Sequence, residues 1–459
     1  MARTDTLTAE PEAARAEPKP NPFLTGAHRP MQEELTITDL PVIGAIPAAL
    51  DGRYLRIGPN PLAADPATYH WFTGDGMIHG LKLAGGKALW YRNRWVRSEA
   101  VTNALGEPRT PGPRHLFDTV NTNIIGCGGR ALALVEAGST PVEIGETLET
   151  LRYTDFDGTL GGSFTAHPHA DPLTGELHGI CYDAMNPAAI RYVVVTPAGK
   201  ARRNVEIPVA HGPMIHDTAI TRRFAIILDL PVTFSMEAAM AGQGFPYRWN
   251  PSHMARIGLL PREGGADAII WAEIDPCYVF HVANAYDAAD GRVILDVVVH
   301  ETMFADSVSG PDSKRSGLER WTIDPQTRTV ARHTIDATPQ EFPRPDERRF
   351  GLPYRYAYTM ALGGAFLGGA LLKHDLETGA RQLHDFGPGR HPGEFVFVPA
   401  RPDAAEDEGW LLGLVIDPGD ETSELVILDA QEFEGEPVAR VQLPHRIPPG
   451  FHGNWVPAA

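Results

Sequence analysis

Short apolar runs separated by turn formers make up most of this chain. Tyr54 to Ile57, Ile78 to Leu83 and Ala88 to Val96 come first, and Ala84-Gly85-Gly86-Lys87 joins the last two as a hairpin turn would. The rhythm continues through Ala131 to Val135, Arg191 to Thr196, Phe224 to Leu230, Val293 to His300 and Leu318 to Asp324. It closes with Ala370 to His374, Trp410 to Ile416 and Glu424 to Leu428. These runs are rich in residues that fit a pleated, half-buried surface. Apolar positions at helical spacing are scarce. The best helical stretch is Met236 to Met240, inside an insertion from Pro231 to about Arg262.

An aspartate turn recurs where strands end. Asp324-Pro325-Gln326-Thr327, Asp375-Leu376-Glu377-Thr378-Gly379 and Asp429-Ala430 fall roughly fifty residues apart, the blade length of propeller repeats. Asp171-Pro172-Leu173-Thr174-Gly175 repeats the turn earlier. With 41 prolines and 46 glycines among many short strands, the pattern predicts an all-β fold. A β-propeller of about seven blades suits the length, and a pair of sandwiches is its main rival. Residues 1–20, rich in Ala, Glu and Pro without periodicity, read as a disordered tail ahead of a single propeller domain over 21–459.

Composition narrows the function. A hydrophobic fraction of 43% supports a sizeable core. Acids outnumber bases 58 to 40, and no basic run extends beyond a pair such as Arg222-Arg223 or Arg348-Arg349, which argues against a nucleic-acid partner. Cys127, Cys181 and Cys277 form no CxxC and are odd in number. They fit a reducing compartment, the cytoplasm, rather than a disulfide framework. No apolar leader opens the chain, and the most apolar stretch, Met360 to Leu372, is glycine-broken and too short to span a membrane.

Of 18 histidines, four share a setting: His167, His216, His281 and His452 each follow an apolar residue and lie near a turn former. That is the pattern of residues at strand ends facing a propeller axis. His281, after Tyr278-Val279-Phe280, is expected where a strand gives way to a loop. The four lie 49, 65 and 171 residues apart, so no single helix could present them, and HExxH is absent. An all-imidazole site suits iron, copper, nickel or zinc rather than calcium or magnesium. His169, two residues after His167, is the obvious competing ligand. His167-Pro168-His169 and His216-Asp217 leave a hydrolytic zinc site open, and a propeller that only binds partners is a further alternative.

The chain resembles the carotenoid cleavage oxygenases from about Asn21 onward. The resemblance rests on Trp71-Phe72-Thr73-Gly74-Asp75-Gly76-Met77-Ile78-His79, Tyr91-Arg92-Asn93-Arg94-Trp95 and Gly244-Phe245-Pro246-Tyr247-Arg248-Trp249. Phe280-His281-Val282-Ala283-Asn284-Ala285-Tyr286 and Gly450-Phe451-His452-Gly453 complete it, all in family order. It implies a seven-bladed propeller with a helical and loop cap over the iron-bearing face. It implies non-haem Fe(II) on His167, His216, His281 and His452. Three glutamates behind those ligands correspond to Glu136, Glu341 and Glu394. A carboxylate there suits the chemistry, because a ligating imidazole must donate its second N–H. Thr122 matches a threonine whose methyl restricts one coordination position.

The implied reaction brings O2 across a conjugated C=C bond and gives two carbonyl products. Stilbene cleavers of the family carry a lysine where this chain has Val135, and a tyrosine that corresponds to Trp95. Without those polar handles a phenolic substrate is harder to satisfy. An apolar carotenoid or apocarotenoid is therefore expected ahead of phenolic stilbenes or phenylpropenoids such as isoeugenol. The insertion 231–262 reads as a lid or tunnel mouth able to touch a membrane surface weakly. The oligomeric state is not legible.

Overall fold

The structure, a computed structural model, describes residues 20–115, 117–363 and 367–458. Except for Pro20, the expected tail lies outside the described residues. Among the described residues, seven antiparallel sheets of four or five strands form the blades of a β-propeller. In chain order their first strands are Gly52–Pro59, Asn123–Cys127, His169–Ala170, Ala219–Ile220, Tyr278–Asp287, Gln340–Pro345 and His391–Pro399. Blades 1 to 7 are named in that order.

Both ends of the described chain close the ring. Gly453–Pro457 pairs with Gly52–Pro59 in blade 1. Val42–Gly44 pairs with Ala439–Leu443 on the far edge of blade 7. The chain therefore meets itself through backbone ladders at two places, which suppresses opening of the ring.

Local chemistry explains the strands and turns. Gly85 and Gly86 both take positive φ in the hairpin expected there, a conformation glycine enters without Cβ strain. Asp324 Oδ1 accepts from the Gln326 and Thr327 amides, Asp375 Oδ1 from Glu377 and Thr378, and Asp429 Oδ1 from Gln431 and Glu432. All three turns follow the third strand of their blades, in blades 5, 6 and 7. Asp171 makes a similar turn to Leu173, but between the first two strands of blade 3, so it is no member of that repeat.

Two expectations need correction. A helix at Glu99–Leu105 was not foreseen; Ser98 Oγ caps it through the Val101 amide and Gly106 ends it at φ 68°. The insertion is shorter than expected, because Arg256–Pro261 is the third strand of blade 4. What remains projects as the pair Val232–Phe234 with Tyr247–Trp249 and the predicted helix Met236–Met240 between them. Among the described residues no helix is long and apolar enough to cross a membrane.

Candidate metal centre

Each of the seven blades sends one side chain to the axis. His167 precedes the first strand of blade 3 and His216 that of blade 4, while His281 lies within the first strand of blade 5. His452 precedes the closing strand of blade 1. Glu136 follows the second strand of blade 2, and Glu341 and Glu394 lie in the first strands of blades 6 and 7.

Irregular backbone aims several of them. The expected strand end at His281 is instead strand interior, in Tyr278–Asp287. Its pairing register shifts between Val279 and Val282, which frees the histidine from the ladder. The same irregularity occurs at Glu341, between Glu341 and Arg344, and at Glu394, between Pro392 and Phe395. A bulge unpairs a residue and re-aims its side chain. Ala137 and Phe342, next after Glu136 and Glu341, hold positive φ of 66° and 53°. Such backbone strain is typical of functional sites.

The four histidines are buried, and one ring nitrogen from each lies within 4.8 Å of all the others. Nε2 of His281 stands 3.3 Å from Nε2 of His216 and 3.1 Å from Nε2 of His452. Nitrogens about 2.1 Å from one ion stand about 3.0 to 3.4 Å apart between square and tetrahedral angles, so the spacing fits a single first-row metal. His167 Nε2 is buried without a hydrogen-bond partner. Such an orphan fits a ligand atom.

Behind three of the imidazoles stand the carboxylates. Glu136 Oε1 is 2.7 Å from His216 Nδ1, Glu341 Oε2 is 2.5 Å from His281 Nδ1, and Glu394 Oε1 is 3.0 Å from His452 Nδ1. Each fixes Nδ1 as the donor and leaves the Nε2 lone pair for a metal. Sequence reasoning missed the groups that anchor the acids in turn. Tyr182 donates to Glu136 Oε1 at 2.9 Å, and His300 Nε2 lies 2.6 Å from Glu341 Oε1. Half-buried Arg344 reaches Glu394 Oε1 at 3.4 Å and Asn454 Oδ1 at 2.6 Å. A tyrosine, a histidine and an arginine far apart in sequence carry no motif that could have marked them.

These contacts set the charge states. Burial drives His167 well below the usual histidine range, helped by the neighbouring imidazoles. Burial also lowers His452, offset in part by Glu394. At His281 burial opposes the charged ring, but Glu341 outweighs it and the net shift is upward. At Glu394 burial opposes ionisation and is outweighed by Arg344 and His452, so its pKa falls to about 2. Burial opposes ionisation at Glu341 too, and His281 and His300 hold it well below the usual range. Glu341 and Glu394 are held ionised and the imidazole donors are oriented, as a divalent cation requires.

Two cavities end on this centre. One, of about 660 Å³, is walled by Phe72, Phe245, Phe280, Phe342 and Phe451 and reaches His216, His281 and His452. Phe342 stacks on His281 with centroids 5.2 Å apart, and Phe280 meets His216 edge-on at 5.1 Å. Thr122 and Glu136 line it, with Phe234, Ala239 and Tyr247 of the insertion. The second, of about 390 Å³, is the more polar of the two and reaches His167, His281 and His452. His169 lines that one, bonded to Asp217 at 2.8 Å and outside the four-histidine group. Trp95 lines neither; it is buried with Met77 and Val101 and donates to the Asn60 carbonyl. The expected correspondence with a substrate-facing tyrosine is therefore corrected.

Comparison with known proteins gives one consistent result. The family described as retinal pigment epithelial membrane protein matches residues 28–457. A carotenoid cleavage oxygenase of Mycobacterium tuberculosis is 44% identical, covering 97% of this chain and 99% of its own. The crystal structure of Pseudomonas brassicacearum lignostilbene dioxygenase superposes with a TM-score of 0.86 at 29% identity, over 96% of this chain and 100% of that one. Cobalt-substituted apocarotenoid oxygenase from Synechocystis superposes at 0.83 with 30% identity, over 94% and 98%. A seven-bladed propeller with four converging histidines, matched over nearly its whole length by these enzymes, belongs to the carotenoid cleavage oxygenase family and is a dioxygenase of that type.

Proposed function

We propose that this chain is an Fe(II) dioxygenase that cleaves a conjugated C=C bond of an apolar alkene, a carotenoid or apocarotenoid, with O2 to give two carbonyl products. The observation that carries this reading is the aromatic-walled cavity ending on the four histidines. His167, His216, His281 and His452 hold the ion, and Glu136, Glu341 and Glu394 keep three of them in the ligating tautomer. When bound, Fe(II) supplies the activation of O2 that the alkene lacks.

The chain's own part is to align one double bond and exclude water. Phe72 packs edge-on against Phe245, Phe280 and Phe451, so the wall is rigid. Thr122 narrows the approach to one position beside the ion; its hydroxyl is tied to Asn121 Oδ1 at 3.0 Å. Several polar groups of the wall are engaged with the protein itself, although Glu136 Oε2 is buried without a hydrogen-bond partner. Asn121 donates to the Phe72 and Gly74 carbonyls, and Tyr182 to Glu136. Val135, in the wall, offers no charge to a phenolate. Among the described residues neither lysine nor arginine lines the cavity, so a buried phenolate would lack a cationic partner, which favours a polyene.

A second reading, cleavage of phenolic stilbenes or phenylpropenoids, draws support from the likeness to lignostilbene dioxygenase. Retention of every histidine and glutamate speaks against a propeller that merely binds partners. Exposed Phe117 and Met185 at the cavity mouth, with Met236 and Met240 on the adjacent helix, suit weak contact with a membrane surface. Three free cysteines suit a cytoplasmic location. Incubating the Fe(II)-loaded enzyme with an apocarotenal, resveratrol and isoeugenol, with aldehydes identified by mass, tests the proposal. Aldehydes from the apocarotenal are expected; exclusive turnover of a phenolic overturns the polyene assignment.

A further inference from the structure

The two cavities differ in chemistry yet meet at the same centre, and His281 and His452 line both. We infer that the polar cavity is the entrance by which a hydrated divalent cation reaches the histidines, separate from the apolar entrance of the organic substrate. This rests on the reading that the four histidines hold a metal.

A doubly charged ion with its water shell is strongly disfavoured along a wall of phenylalanines. The polar cavity runs inward from an exposed rim at Gly126, Gly128 and Gly129. Its walls carry Asn123, Asp217 and Asn454, which can replace lost water, and Glu394 stands at its inner end. The cationic side chains along it are paired. Arg53 lies 3.1 Å from Glu146, Arg130 3.2 Å from Glu143, and Arg344 contacts Glu347 and Glu394. A cation entering there meets oriented dipoles and balanced charge. Nitrogens of three of the four ligands are reached from this side, including the otherwise unpartnered His167 Nε2.

The test follows metal uptake rather than turnover. Apoprotein made by chelation, its fold checked by circular dichroism, is mixed with Co²⁺, and visible d–d absorption records entry. Gly126→Trp blocks the polar rim; a Cβ there meets nothing closer than the Val456 methyls at 3.6 Å, so the substitution can be accommodated. Ile125→Trp, on the same wall, serves as a second plug should the first not fold. Uptake is expected to slow by at least about tenfold, the effect of about 1.4 kcal/mol added to the barrier to entry, with the final spectrum unchanged. Met185→Trp, at the apolar mouth, is expected to leave uptake at the wild-type rate. Plugged variants that load as fast as wild type, or equal slowing by Met185→Trp, would overturn the entrance while leaving the metal site intact. A folded wild-type apoprotein that shows no cobalt absorption at any concentration overturns the metal-site reading itself.

Discussion

Two sides of the centre are built differently. On one, His216, His281 and His452 each lean on a carboxylate that is itself anchored. On the other, His167 has no glutamate among its hydrogen-bond partners. Its ring sits among the other three at centroid distances of 4.4 to 5.2 Å, and its amide donates to Thr165 Oγ1. Three of the histidines are thus oriented electrostatically and the fourth by packing and backbone. The three acids also offset a divalent ion's charge, whereas His167 completes the set without adding more negative charge.

Substitutions can break that comparison, beginning with the ligands. His281→Ala should abolish measurable metal binding, since it removes one ligand and one of the partners of Glu341; elemental analysis showing full metal content would refute the assignment. Arg344→Met comes next. It leaves Glu394 buried without its cationic partner, and denaturant unfolding of the apoprotein should show a loss of about 3 kcal/mol, with Arg344→Lys recovering part of it. Glu341→Gln and Glu394→Gln should each weaken metal affinity by about 10- to 100-fold while the fold persists, as read by chelator competition. No counterpart exists at His167, so conservative changes at Thr165 should leave metal affinity near wild type by the same assay. A modest effect on stability is expected for Tyr182→Phe. Loss of one hydrogen bond to Glu136 should cost about 1 kcal/mol of apoprotein stability by thermal unfolding.

The architecture was largely legible because it is written locally. Strand-forming runs, the Gly85-Gly86 hairpin and the aspartate turns of blades 5 to 7 all act within a few residues. The helix Glu99–Leu105 escaped notice because seven residues are too few for a periodic pattern, and only Ser98 and Gly106 mark its ends. The insertion was drawn too long because Arg256–Pro261 is assigned by its partners, Phe224–Asp229 and Ile270–Glu273, not by its own composition. His281 was placed at a strand end because bulges are invisible in a run of β-formers. Trp95 fell into the wrong role because correspondence along a sequence does not say which face of a strand meets the cavity.

By itself the sequence determined the residue types able to hold a borderline metal, the excess of 58 acids over 40 bases, and the short strands that demand a closed β architecture. Those depend on side-chain chemistry and short-range backbone preference. Tertiary structure alone decided which acid meets which histidine. Glu136 of blade 2 reaches past blade 3 to His216 of blade 4, with Tyr182 of blade 3 completing the contact. It also decided that His169 faces the polar cavity and that His452 joins ligands from the middle of the chain. Ring closure brings the four histidines within 5 Å across separations of up to 285 residues, and no local signal encodes a distance set by seven blades packing around one axis.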